Sequence, residues 1–185
     1  MTGIICFLSL IIMLYVMNAY AEAEYSYPNK RKIIKLKVYL HFNLGGNDAN
    51  AVIIAQPNHT TDSNSIYPFG TLLAINYAVR VGAKPTSKLI GRAKGLAVAA
   101  NQERNENVLV LFTDLGFTKG KFKGSSFVVI SRASFLAPSR ELAIIGGTKK
   151  FRMAQGFLFT ESYSFKVNAT GVFAVYKIDA TLFHS

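Results

Sequence analysis

From residue 35 onward polar and apolar side chains alternate with a period of two, the pattern of strands that bury one face. In 35–43, Leu36, Val38, Leu40 and Phe42 fall on one side, and Lys35, Lys37, Tyr39, His41 and Asn43 on the other. Further β-rich runs cover 51–55, 71–77, 89–99, 108–117, 126–133, 141–145, 151–165 and 171–182. Turn formers separate them: Gly45-Gly46-Asn47-Asp48, Lys119-Gly120-Lys121, Gly146-Gly147 and Asn168-Ala169-Thr170-Gly171. A sustained apolar pattern of helical period is missing from this region. The spacing predicts about seven to nine antiparallel strands, as an all-β sandwich or closed barrel, and late strands apolar on both faces favour closure.

Ahead of the strands, residues 4–17 are uncharged and mostly apolar, and small residues follow at Ala19, Ala21 and Ala23. The run is short for a bilayer span and reads as a secretory signal peptide over 1–23, cleaved at an A-x-A site, although no basic segment precedes it. A retained membrane anchor is the alternative. The mature domain is then 24–185, exported and free of the membrane. Cys6 is the only cysteine and lies in the leader, so the mature chain has neither a disulfide nor a thiolate for metal or redox chemistry. Half of all residues are hydrophobic and 17% are charged, which excludes disorder, collagen and coiled coil. Two sequons, Asn58-His59-Thr60 and Asn168-Ala169-Thr170, make Asn58 and Asn168 candidate glycosylation sites.

The chain carries 21 Lys and Arg against ten Asp and Glu, a net +11 that becomes +12 when Glu22 leaves with the leader. The densest cluster, Lys30, Arg31, Lys32, Lys35 and Lys37, precedes or alternates with apolar residues as one solvated strand face would. Nucleic acid is not expected as a partner. For an exported protein the charge points to weak retention on acidic polysaccharide.

Six segments in order resemble the plant dirigent proteins: Tyr39-Leu40-His41; Phe69-Gly70-Thr71; residues 87–95, SKLIGRAKG; residues 116–125, GFTKGKFKGS; residues 140–148, RELAIIGGT; and residues 151–157, FRMAQGF. The resemblance implies an eight-stranded antiparallel β-barrel with a central pocket, like that of allene oxide cyclase. It also implies assembly as a homotrimer and secretion to the apoplast. By resemblance, the partners are a phenolic small molecule, such as a monolignol, and a separate oxidase, such as a laccase, that turns it into radicals. The barrel then steers their coupling in lignan-type biosynthesis, with no cofactor and no oxidative centre of its own.

Positions matched to the family's pocket depart from its pattern. Phe42 replaces an acidic residue after His41, Asn76-Tyr77 falls where a pair of aspartates is usual, Ala97 replaces a tyrosine, and Gln155 replaces an arginine. None of Phe42, Asn76, Ala97 or Gln155 can deliver a proton near neutrality. Asp114 is the candidate substitute donor, since alternation groups it with Val108, Val110 and Phe112 on an apolar stripe that would line the barrel. A strand-end carboxylate in solvent is the alternative, and Asp48 reads as a turn residue. Tyr77 would hydrogen-bond or stack on a ring. Arg152 would orient a phenolate or belong, with Lys149 and Lys150, to a solvated basic loop. His41, His59 and His184 have no metal-ligand spacing, so no metal is expected. Serines lack the G-x-S-x-G elbow of a hydrolase.

Three functions fit this reading. A working dirigent protein would bias phenolic coupling by shape. A degenerate barrel would only bind a phenolic or carbohydrate in wall defence. A third class would dehydrate and cyclise a phenolic alcohol, as isoflavonoid-branch relatives do, but the missing acids argue against it unless Asp114 substitutes.

Overall fold

The computed structural model describes residues 11–13, 15, 17, 32–58, 67–102, 107–134 and 137–184. They form two units, one within 1–31 and one spanning Lys32–His184. In the first, residues 11–13, 15 and 17 are helical, and no described helix is long and apolar enough to cross a membrane. Cys6 and the alanines expected at the cleavage site lie outside the described residues.

The second unit is built almost wholly from strands: β1 (Lys32–Leu44), β2 (Ala51–Ala55), β3 (Leu72–Arg80), β4 (Leu89–Ala99), β5 (Val108–Phe117), β6 (Ser126–Ser134), β7 (Ser139–Thr148), β8 (Gln155–Asn168) and β9 (Gly171–His184). Their order is β1-β9-β8-β7-β6-β5-β4-β3-β2, all antiparallel. Pairing of Tyr39, Leu40 and His41 with Arg80, Val79 and Ala78 joins β1 to β3 and closes an eight-stranded barrel. β2 continues along β3 where β1 has diverged. Closure leaves most strands with a partner on each side.

Asn50 stitches the seam where β1 and β3 part. Its side-chain amide donates to the His41 carbonyl at 2.9 Å, its side-chain oxygen accepts from the Asn43 amide at 2.9 Å, and its carbonyl accepts from the Asn76 amide at 2.8 Å. On the outer side of the seam, His41 Nε2 donates to the Gly82 carbonyl at 3.1 Å.

One expected turn is absent. Gly146-Gly147 stays inside β7, where a bulge shifts the register against β6. A Cβ on Gly147 would sit 2.6 Å from the carbonyl oxygens of both Ser126 and Phe151, so glycine serves close packing there. The reversal falls instead on a 3₁₀ turn at Lys149–Phe151, and β8 begins at Gln155.

The registers place the β3–β4, β5–β6 and β7–β8 connections, with the start of β1 and the end of β9, at one end of the cylinder. That end is plugged by Phe117, Phe122, Phe127 and Phe151, whose ring centroids stand 4.9–6.3 Å apart. Phe151 is fully buried. Toward the other end the lumen opens, because β4 turns Ala93 and Ala97 inward where larger side chains would fill a small barrel. A Cβ on Gly95 would lie 1.8 Å from the Phe112 carbonyl oxygen, so β4 and β5 coil too closely for a side chain there.

Two outcomes follow from this construction. Phe151→Ala removes the ring at the centre of the plug and is expected to cost about 3–5 kcal/mol, read as a lower urea midpoint at unchanged slope. His41 is held below the ordinary imidazole value of 6.5, first by burial and further by the Arg80 charge, against an opposing hydrogen bond to Gly82. Between that lowered value and 6.5 the unfolded chain binds more protons than the barrel. The His41 contribution to stability is therefore complete above 6.5 and is lost as pH falls through that window. The His41 ring should titrate below 6.5 by NMR, and the stability gap between wild type and His41→Gln should narrow from about pH 7.5 to about pH 5.5. An imidazole titrating at or above 6.5 contradicts this.

Candidate functional site

The open half of the barrel encloses a cavity of about 590 Å³, within the range of small-molecule sites. β1 supplies Leu40, Phe42 and Leu44, β3 supplies Leu73, Ile75 and Tyr77, and β5 supplies Leu109, Leu111, Thr113 and Leu115. Leu142, Leu158 and Ile178 complete the far wall, and Phe165, Val167 and Val172 stand at the rim. Among the described residues lining the cavity are three tyrosines, Tyr67, Tyr77 and Tyr176, one cation, Arg140, and no carboxylate, histidine or lysine.

Arg140 enters from the start of β7, opposite Thr160 on β8. Its Nε and Nη2 both donate to the Ala137 carbonyl at 3.3 Å, and Nη2 also reaches Ser162 Oγ at 3.3 Å. The guanidinium lies 5.2 Å from the Tyr176 ring centroid, at cation–π distance. It is thus held at the wall as a fixed positive charge, and guanidinium does not deprotonate in proteins. A planar fork of this kind suits a phenolate or quinoid oxygen.

Tyr77 and Tyr67 are poor acids here. Burial pushes the Tyr77 phenol well above its ordinary value, with Tyr176 and Tyr67 adding to the shift; burial, then Tyr176, raises Tyr67 as well. Both phenols stay protonated at neutral pH and act as hydrogen-bond donors or acceptors. The Phe42 and Tyr77 rings meet edge to face at 5.6 Å, which leaves a firm aromatic wall for a guest ring. The arrangement can bind, orient and electrostatically stabilise a phenolic; among the described residues it presents no carboxyl for general acid catalysis.

Of the residues singled out by sequence, Phe42, Tyr77 and Ala97 line the cavity. His41 and Asn76 do not. They precede Phe42 and Tyr77 on their strands, so the pleat turns them outward, into an open depression of about 700 Å³ shared with Arg80 and Arg92. Asp114 is exposed on the outer wall, cross-strand from Lys94 and Val128. Its expected role as a lumenal proton donor is therefore withdrawn. Both faces of β5 are apolar, and the lumenal one is Leu109, Leu111, Thr113 and Leu115, whereas Val108, Val110 and Phe112 face out with Asp114. Arg152 caps the 3₁₀ turn and Gln155 opens β8; both are exposed and outside the cavity lining. Asn58 is exposed, while the rest of its sequon lies outside the described residues. Asn168 Oδ1 accepts from the Thr170 hydroxyl at 2.7 Å and from the Thr170 and Gly171 amides in the β8–β9 turn.

Sequence reasoning missed Arg140, Tyr67, Tyr176, Thr113, Thr160 and Ser162. For Arg140 the signal was present: it shares a strand face with Leu142 and Ile144, but the strand was expected to start one residue later, at Glu141. Tyr176 likewise shares a face with Ala174, Ile178 and Ala180, all buried. Tyr67 comes from the connection before β3, where no periodicity places it.

The geometry can be set beside known proteins. The sequence profile of the family described as Dirigent-like protein matches residues 33–183. Dirigent protein 15 of Arabidopsis thaliana is 36% identical over 179 residues, 96% of this chain and 93% of that protein. Pterocarpan synthase 1 of Glycyrrhiza echinata is 35% identical over 156 residues, 84% of this chain and 80% of that protein. A solved pterocarpan synthase dirigent protein superposes with a TM-score of 0.74 at 33% identity, covering 86% of this chain and 88% of that one. With the profile spanning the barrel and relatives matched over nearly their whole length, the chain belongs to the dirigent family.

Proposed function

We propose that the barrel binds a phenylpropanoid-derived phenolic, or the radical a separate oxidase such as a laccase makes from it, and biases the face on which it couples. The observation that carries this reading is the cavity: aromatic and aliphatic walls around one fixed guanidinium, with no carboxylate in the described lining. Burial of a guest ring supplies affinity, and Arg140 with the tyrosine phenols supplies orientation. A preference of about 1.4 kcal/mol between two faces is enough for a tenfold product ratio. Contacts of this kind reach that without any proton transfer. The reading includes export to the apoplast as a mature chain of 24–185, glycosylation at Asn58 and Asn168, and no cofactor.

A second reading is favoured by the relatives named pterocarpan synthase. In it the same cavity takes a phenolic alcohol that loses water and cyclises, with Arg140 holding the phenol oxygen as charge develops.

Self-association is part of the proposal. Val52, Ala74, Leu96, Phe112 and Ile130 are paired in series across β2 to β6 and make an apolar belt around the outer wall. Phe112 and Val52 are each more than two-fifths exposed. A second copy is the occupant that fits, because the row beside the belt places Lys94 opposite Asp114, so one face offers both charges to its like. Phe112→Asp is expected to shift the sedimentation coefficient to that of a monomer with little change in melting; an oligomer that survives contradicts this.

The coupling reading is tested by incubating the mature protein with coniferyl alcohol and a laccase and resolving pinoresinol enantiomers. Wild type should give an enantiomeric excess. Ala97→Phe, which builds a ring into the lumen, should return it to zero. Arg140→Gln should weaken phenolic binding roughly 10- to 100-fold, the worth of a charge-assisted hydrogen bond, and Asp114→Ala should change nothing. A racemic product from wild type removes this reading, and conversion of a phenolic isoflavanol, whose alcohol leaves as water when the ring closes, would then favour the second.

A further inference from the structure

The end of the barrel opposite the cavity mouth gathers a charge that phenolic chemistry does not use. Three connections meet there, and together they carry Lys84, Lys88, Lys119, Lys121, Lys123, Lys149, Lys150 and Arg152 without one Asp or Glu in 81–88, 118–125 or 149–154. All eight are exposed. The connections are contiguous. The amides of Thr118 and Lys119 both donate to the Ile90 carbonyl, which ties the β5–β6 turn to the start of β4. Lys150 Nζ donates to the Lys121 carbonyl at 2.6 Å, and the Phe122 and Phe151 rings beneath stand 4.9 Å apart.

Among the described residues the cluster is also without an ion-pair partner. Ion pairs among the described residues link Lys37 to Asp179 and Lys177 to Glu161 and Asp179, on the wall formed by β1, β8 and β9. None involves the eight cations. Lys149 is further held at φ 49°, a left-handed conformation unfavourable for a side chain, and its Nζ reaches over Gly124, where a Cβ would lie only 2.8 Å away. Like charges gathered at one end repel one another, and a polyanion laid across them relieves that repulsion.

We propose that this closed end is a docking surface for a linear polycarboxylate, a chain of uronic acid residues, which holds the barrel with its cavity mouth facing away; the choice of partner rests on the export reading above. Seven of the eight cations are lysines, hydrated point charges suited to a loose row of carboxylates, and a single arginine is available for bidentate phosphate contact. The aromatic side chains of these three connections turn into the plug, Phe151 fully and Phe122 in part, so the connections themselves offer no exposed ring on which bases could stack.

The test is calorimetric binding of the purified mature protein to de-esterified polygalacturonate across a salt series. A triple variant, Lys119→Gln with Lys121→Gln and Lys123→Gln, should lower affinity about tenfold or more and flatten the slope of log K against log salt by about 2. A control triple on the outer wall, away from the apolar belt, Lys37→Gln with Arg132→Gln and Lys166→Gln, removes the same charge and should stay within about twofold of wild type. Equal losses in the two triples would overturn the proposal, since net charge alone would then be responsible. So would tighter binding to a single-stranded oligonucleotide of matched length, or equal binding to fully methyl-esterified pectin. Export is read separately, from whether protein recovered outside the producing cell begins near residue 24, so its failure is distinguishable from a failure of docking.

Discussion

A closed ring of hydrogen-bonded strands obliges every residue of a strand to face either the lumen or the outside, and this exclusivity governs the molecule. It puts Phe42 and Tyr77 in the cavity wall and sends their neighbours His41 and Asn76 to the far side of the same strands. It also makes the cavity a matter of side-chain volume on inward positions. Alanines at 93 and 97 leave the upper lumen open, while four phenylalanines fill the lower part. A small barrel is ordinarily filled by its own side chains; here one strand withholds its share.

Period two made the strands legible, and the ends of β4 and β5 were read to the residue. What could not be read was the direction of a strand that is apolar on both faces. On β5, Leu109-Leu111 and Val110-Phe112 are equally good core, and only the register with Ala97 and Lys94 on β4 settles that the leucines go in and Asp114 goes out. Gly146-Gly147 misled for a different reason. A glycine pair marks a turn in sequence, but here its second member, Gly147, relieves crowding against Ser126 and Phe151 within a continuing strand. Asn50, which stitches the seam through three backbone groups, carries no pattern at all, because its partners are distant or set by a loop.

The site follows the same logic. A lumen whose described lining holds Phe42, Ala97 and the protonated phenols of Tyr67 and Tyr77, and no carboxylate, is suited to holding an aromatic guest in few orientations. One permanent cation, anchored to Ala137 and Ser162, supplies the polar end of that grip. The two ends of the cylinder then have separate chemistry: an apolar mouth, where the proposed reading puts a small molecule, and a lysine-covered base that faces away from it. Reaction and anchorage need not compete for the same surface.

Where a guest sits is the most direct question. A crystal of the mature barrel soaked with pinoresinol should show ring density against Tyr77, Phe42 and Leu111, with a phenol oxygen within hydrogen-bonding distance of Arg140 or Tyr176. Density confined to the outer depression beside Arg80 and Arg92, or a lumen closed by inward side chains, would contradict a cavity that steers its guest by fit.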